Sequence, residues 1–269
     1  AAMRIIIATV VTFGYLLTTK RLMRPGLTHL PLILSVGVFQ FGLQFLLMNF
    51  GLQHTEPGRS AILAYSTPLW VIPLAIVFLR ESLGGWKLIG TFLGFLGVIL
   101  LFHPSSFAWH SKSVIIGHVS SILSAISWAI AILLVKKLRW QQSPLHLAPW
   151  CFLTACFIQV PSALMLEGPG GIAWSIPLAA VLLYNGIVAT AFCFIASVYI
   201  HRALSAVSAS MGMLGVPVVG LLSSAAAGME AIDAVKALSI LLVVTGIALI
   251  TAVENKSQTE KREATYKNK

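Results

Sequence analysis

Pro68-Leu-Trp-Val-Ile-Pro-Leu-Ala-Ile-Val-Phe-Leu-Arg-Glu81-Ser-Leu-Gly-Gly-Trp-Lys87-Leu-Ile-Gly90 runs on into an apolar stretch through Gly97-Val-Ile-Leu, and the same landmarks return 149 residues later. Pro68 falls on Pro217, Glu81 on Glu230, Lys87 on Lys236 and Gly97 on Gly246. Each copy reads as a proline, an apolar span, a carboxylate at its end, then a glycine-bearing apolar span. Self-similarity at a fixed offset marks a chain built from two related halves.

The rest of the chain is of the same character. Of its 269 residues 58% are hydrophobic and 10% charged, against about 45–50% and about 25% in soluble domains. Such a chain cannot cover a globular surface with polar groups, which excludes an ordinary soluble enzyme. In lipid only helices or closed barrels satisfy the backbone. The apolar stretches are continuous rather than alternating, so they read as helices. Charges and Pro/Gly clusters divide the chain into nine expected spans, at 3–19, 30–53, 57–79, 83–102, 114–135, 146–166, 174–201, 204–228 and 234–253. Residues 254–269 carry five basic and three acidic side chains and read as a solvated tail.

The formal charge of +10 is explained by where the bases lie. Lys20, Arg21, Arg24, Arg80, Lys87, Lys136, Lys137, Arg139, Arg202, Lys256, Lys261, Arg262, Lys267 and Lys269 collect on one side of the nine spans, fourteen against Arg4, Arg59, Lys112 and Lys236 on the other. Positive loops stay in the cytoplasm, so the C-terminal tail is expected there. The basic balance is topogenic, and no nucleic-acid partner is expected. The span opening near Pro57 and the one opening near Leu204 are five spans apart, an odd number, so they cross in opposite directions. The expected fold is therefore all-α and polytopic, an inverted repeat of five plus five helices with nine spans present and the first helix missing. Its divisions are a first repeat at 1–102, a connecting loop at 103–113, a second repeat at 114–253 and the tail at 254–269.

The residues from Pro68 to Gly90 and on through Gly97 resemble the drug/metabolite transporter superfamily, in particular its EamA-type members. The resemblance covers essentially the whole chain. It implies a ten-helix carrier in the cell inner (plasma) membrane that moves amino acids or other small metabolites, often outward, as a monomer or homodimer. Two departures stand out: Met229-Glu230 occupies a place where Gly-Glu is usual, and the first helix is missing.

No catalytic, metal or cofactor constellation emerges. Cys151, Cys156 and Cys193 sit in apolar runs without metal-ligand spacing, and His118 with Ser121 lacks a catalytic acid or a nucleophile turn. A non-transport helical scaffold or receptor, or an intramembrane enzyme, would not need an inverted repeat, whereas alternating access uses one directly. All eight acids fall at span ends or in the tail, which disfavours a carboxylate proton relay. Glu81 and Glu230, with Pro68 and Pro217, are gating or structural candidates; the competing role for each carboxylate is capping the N–H groups that open the next helix. Substrate contacts are expected from uncharged polar and aromatic side chains within spans: Gln40, Gln44, Tyr65, Ser124, Trp128, Asn185, Phe192, Tyr199 and Ser208. Gly90-xxx-Gly94 with Gly97 reads as close helix packing.

Overall fold

The computed structural model describes residues 2–55, 60, 63–81, 84–102, 112–138, 142–167, 174–228 and 232–267. It is all-helical among these residues. The helices are α1 (Ala2–Thr18), α2 (Leu27–His54), α3 (Thr67–Leu79), α4 (Gly85–Phe102), α5 (Lys112–Lys137), α6 (Pro144–Glu167), α7 (Ile176–Ala203), α8 in two pieces (Ala206–Gly212 and Gly215–Ala226) and α9 (Ala234–Lys267). Among the described residues six stretches are long and apolar enough to cross a membrane: Leu27–His54, Lys112–Lys137, Pro144–Met165, Ile176–Ala203, Ala206–Ser223 and Ala234–Glu254. Three apolar helices, Ala2–Thr18, Thr67–Leu79 and Gly85–Leu101, are shorter than the roughly 20 residues that a span takes. Large apolar side chains such as Phe92, Phe157, Met165 and Ile176 are exposed on the outside, as a lipid solvent requires. The chain is a multi-pass membrane protein.

Two apolar clusters organise the bundle. One joins α1, α2, α6 and α7 through Ile5, Val36, Phe41, Phe152 and Phe194; the other joins α3, α4, α8 and α9 through Val71, Val98, Leu214 and Val243. Helix α5 contributes to both, with Val135 in the first and Ala129 and Ile132 in the second. Helices α4 and α9 pack against one another along an extensive contact. A Cβ built on Gly90 would lie 2.8 Å from the Gly246 carbonyl oxygen, and one on Gly97 would lie 2.8 Å from the Ser239 carbonyl oxygen. Only glycine lets backbones approach this closely. Shifting Gly90 and Gly246 by the offset of 149 gives Ser239 and Gly97, so the two contacts exchange with one another.

The same offset relates two irregularities within helices. In α2 the residues Val36–Leu43, and in α7 the residues Tyr184–Phe192, form wider π-helical turns. Adding 149 to Val36 and Leu43 gives Asn185 and Phe192. Turns also precede both repeated prolines, at Tyr65-Ser66 and at Met213-Leu214. Pro68 accordingly stands in the first turn of α3, where its missing N–H costs nothing, rather than at a kink inside a continuous helix.

One boundary differs from the sequence reading. Glu254, assigned there to the solvated tail, is buried, and α9 continues past it to Lys267. The charge density after residue 254 hid the end of the packed segment.

Candidate functional site

A cavity of about 440 Å³ opens where the two clusters meet. Helix α2 lines it with Gln40, Phe41, Gln44 and Phe45, and α7 with Ala189, Thr190, Cys193 and Phe194. Each of the second four is the first four's counterpart at an offset of 149. Trp128 of α5, Ser197 of α7, and Met213 and Val216 around the break in α8 complete the wall. Both four-residue sets are on or beside π-helical turns, which rotate side chains relative to a regular helix and recur at functional sites. Phe41, Phe152 and Phe194 pack edge-on against one another at centroid distances of 4.9 Å, 4.9 Å and 5.4 Å and form a rigid apolar floor. A second cavity, between α3 and α5, is lined by Leu74, Phe78, Ile130 and Leu133 and offers almost no polar group.

The polar groups of the main cavity are largely uncommitted. Gln44 is buried, and its amide nitrogen reaches only the Met48 sulfur, at 3.9 Å. The Trp128 indole Nε1 is buried with no acceptor among the described residues. Thr190 Oγ1 donates to the Asn185 carbonyl at 2.7 Å and accepts from Arg4 Nε at 2.9 Å. The Arg4 guanidinium also lies over the Phe45 ring, 4.4 Å from its centroid.

Of the nine residues expected to contact substrate, Gln40, Gln44 and Trp128 come together here. Ser124 is fully buried beside them and donates to the Gln44 carbonyl at 3.0 Å, fastening α5 to α2. The other five lie elsewhere. Tyr65 packs against the cluster of α3, α4, α8 and α9. The Asn185 amide donates within its own helix to the Val181 carbonyl at 2.9 Å, so this residue enters the cavity network through its backbone. Phe192 and Tyr199 are exposed on the outer face of α7.

Ser208 belongs to a polar cluster at one end of the bundle. Glu254 Oε2 accepts from Lys87 Nζ at 2.5 Å and from the Ser205 and Ser208 hydroxyls at 3.1 Å each, and Oε1 accepts from the Ser205 N–H at 3.2 Å. Glu81 accepts from the N–H groups of Ala206 at 2.8 Å and Val207 at 3.4 Å. It therefore caps α8 rather than the helix that follows it. Lys136 Nζ donates to the carbonyls of His201 and Leu204. Four helix ends and the start of α8 are thereby tied together. Glu230, the other acid of the repeated pair, lies outside the described residues, and Pro217 sits just after the break in α8.

Sequence reasoning missed Glu254 and Arg4. The charge count put Arg4 at a membrane boundary, but a Cβ built on Gly186 would meet Ile7 at 2.5 Å and the Arg4 carbonyl at 3.2 Å. Arg4 is thus packed beside the middle of α7, since its partner Thr190 is fourteen residues from Ile176 and thirteen from Ala203. The available signal was a lone arginine followed directly by Ile5-Ile6-Ile7.

Membrane-crossing helices around a small, largely apolar cavity with a few polar groups define a carrier for small molecules. The chain belongs to the EamA-like transporter family, whose model matches residues 1–103 and 115–252. It is 23% identical over 222 residues to the "Uncharacterized transporter YoaV" of Bacillus subtilis, covering 82% of this chain and 75% of that one. With the "S-adenosylmethionine uptake transporter" of Rickettsia bellii it shares 23% identity over 115 residues, 43% of this chain and 38% of the relative. A solved crystal structure superposes with a TM-score of 0.77 at 19% identity, covering 95% of this chain and 87% of that one, which shows a shared fold.

Proposed function

We propose that this chain is a secondary carrier of small metabolites, amino acids among them, that works by alternating access around the cavity between α2 and α7. The observation that carries the reading is the cavity wall itself, with four residues of α2 facing their four counterparts on α7 at a constant offset. Two halves of opposite orientation, 1–102 and 114–253, would account for that wall, for the exchanged contacts of α4 and α9 and for the paired helix breaks. Such a repeat supplies two states of similar energy that open to opposite sides. The network of Glu81, Lys87, Lys136 and Glu254 closes one end and serves as the inner gate, with the C-terminus in the cytoplasm of the inner (plasma) membrane. Transport of a panel of radiolabelled metabolites by purified protein in proteoliposomes is the test. Saturable uptake of at least one solute is expected; none across a broad panel would sink the reading.

The orientation has its own measurement. Single cysteines near Arg24, Gln141 and Lys261 should react in intact cells only with membrane-permeant thiol reagents, whereas sites near Glu56, Trp109 and Gly170 react with impermeant ones. Labelling near Lys261 from outside would reverse the topology.

The two amides separate by role. Gln44→Ala removes an uncommitted amide from the cavity, and losing a substrate hydrogen bond there costs roughly 1–3 kcal/mol, about fivefold or more in transport. Asn185→Ala removes only a bond within its own helix and should leave transport within about twofold, because an intramolecular bond of that kind contributes only about 1 kcal/mol, and that to folding. Equal losses in both variants would place the site on a different face of α7.

A further inference from the structure

We propose that the cavity selects solutes bearing a carboxylate, and that Arg4 is the group that holds it; this rests on the carrier reading and names its substrate class. The argument begins with cost. A charged side chain in the middle of a bundle that spans lipid is expensive, and such groups pair with a partner or serve the transport path. The Arg4 guanidinium is half-buried at the mid-point of α7, where its Nε bonds Thr190 Oγ1 at 2.9 Å and its face covers Phe45. Both of those residues line the cavity. Among the described residues no carboxylate lies within ion-pair distance of it; the acids Glu81 and Glu254 are committed to the polar cluster at the start of α8.

The Nε bond fixes the guanidinium plane and leaves the two terminal nitrogens, which donate to no described residue. That is the fork geometry that accepts a carboxylate through two parallel bonds. Trp128 Nε1 is a further donor with no acceptor among the described residues, and the amides of Gln40 and Gln44 bring both donors and acceptors to the same wall. Among the described residues no acidic side chain lines the cavity, so none of them answers a cation by charge there.

The offset of 149 sharpens this. Arg4 and Thr190 correspond to Leu153 and Phe41 in the other half. Neither Leu153 nor Phe41 can make the bond that joins Arg4 to Thr190, so this polar pair is particular to one copy, as are Gln40 and Gln44, whose counterparts are Ala189 and Cys193.

The test uses four probes that share one ring and differ in charged groups, suited to an aromatic-lined cavity of about 440 Å³: phenylalanine, phenylalaninamide, 3-phenylpropionate and phenethylamine. Binding to the purified full chain is read by thermal stabilisation in detergent, and transport by counterflow in proteoliposomes. Phenylalanine and 3-phenylpropionate should bind at least tenfold more tightly than the amide and the amine. Arg4→Gln should lose at least tenfold in affinity for the two acids with less than twofold change for the amide, and Arg4→Lys should recover part of the loss. The unliganded melting point of Arg4→Gln should match or exceed the parent's, since an unpaired charge has been removed; a lower one, with acid binding intact, assigns Arg4 a structural role and overturns the proposal. A parent that binds amide or amine as well as the acids, or neither acid, overturns it too. Should Arg4→Gln fail to fold, the parent's discrimination between acid and amide decides. Transport of uncharged or cationic solutes equally by parent and Arg4→Gln would leave the carrier standing and remove the carboxylate; binding of the acids without movement of any solute would do the reverse.

Discussion

Gly246→Leu should give no folded protein, and even Gly246→Ala should lose about 3 kcal/mol of stability, the upper end of the range for overpacking. A Cβ on Gly246 would sit 2.5 Å from the carbonyl oxygen of Gly90 and 2.7 Å from the backbone nitrogen of Gly94. Those are backbone atoms of a helix, which cannot rotate aside as a side-chain tip does, so α4 and α9 must separate along one of the extensive contacts of the bundle. The control is Gly220, on the exposed side of α8 with no atom within 4 Å of a built Cβ. There alanine should be neutral or stabilising by up to about 1 kcal/mol, from helix propensity alone. Monodispersity and thermal melting in detergent measure both; similar behaviour of the two variants would mean that the α4–α9 crossing is loose.

Glu254→Ala is expected to cost about 3–5 kcal/mol, as when one partner of a buried pair is removed. Four donors converge on this carboxylate, and the Lys87 and Glu254 side chains are only 12% and 10% exposed. Its loss strands the Lys87 ammonium and three donors at the start of α8. Replacing both partners by apolar residues of similar size, Lys87→Met with Glu254→Leu, should recover much of the loss, because the stranded charge and not the missing attraction dominates the single variant. A double variant no more stable than Glu254→Ala would show that the serine and N–H contacts carry the energy instead.

How much of this was legible in the sequence depended on what each signal measures. The membrane class, the apolar helices and the glycine contact of α4 were readable because composition and small-residue spacing report directly on solvent and on backbone approach. Gln40, Gln44 and Trp128 were readable because an amide or an indole N–H in an apolar span must find some use. The face of α7 was not. Asn185, Phe192 and Tyr199 recur every seven residues and make a convincing stripe, yet the cavity is lined by Ala189, Thr190, Cys193, Phe194 and Ser197. In lipid both faces of a helix are apolar, so periodicity reveals stripes without saying which one faces inward. A π-helical turn, which has no composition signature of its own, then shifts the register further. Glu81 could be read as a cap, but only the three-dimensional arrangement identifies the helix it caps.

The carbonyls of α2 carry one more consequence. Around its π-helical turns the oxygens of Phe39, Phe41, Gly42 and Gln44 accept from Ser127 and Ser124 of α5 and from Gln159 of α6, at 2.7 to 3.0 Å. Turning α2 about its own axis would strip these bonds in an environment with no water to replace them. The helix that brings two glutamines to the cavity is therefore stapled to two neighbours and travels only with them. For the alternating access proposed above, this makes opening of the cavity a matter of three helices rocking as a block, with the flexing left to Tyr65-Ser66 and Met213-Leu214, where tighter turn bonds interrupt the helical ladder.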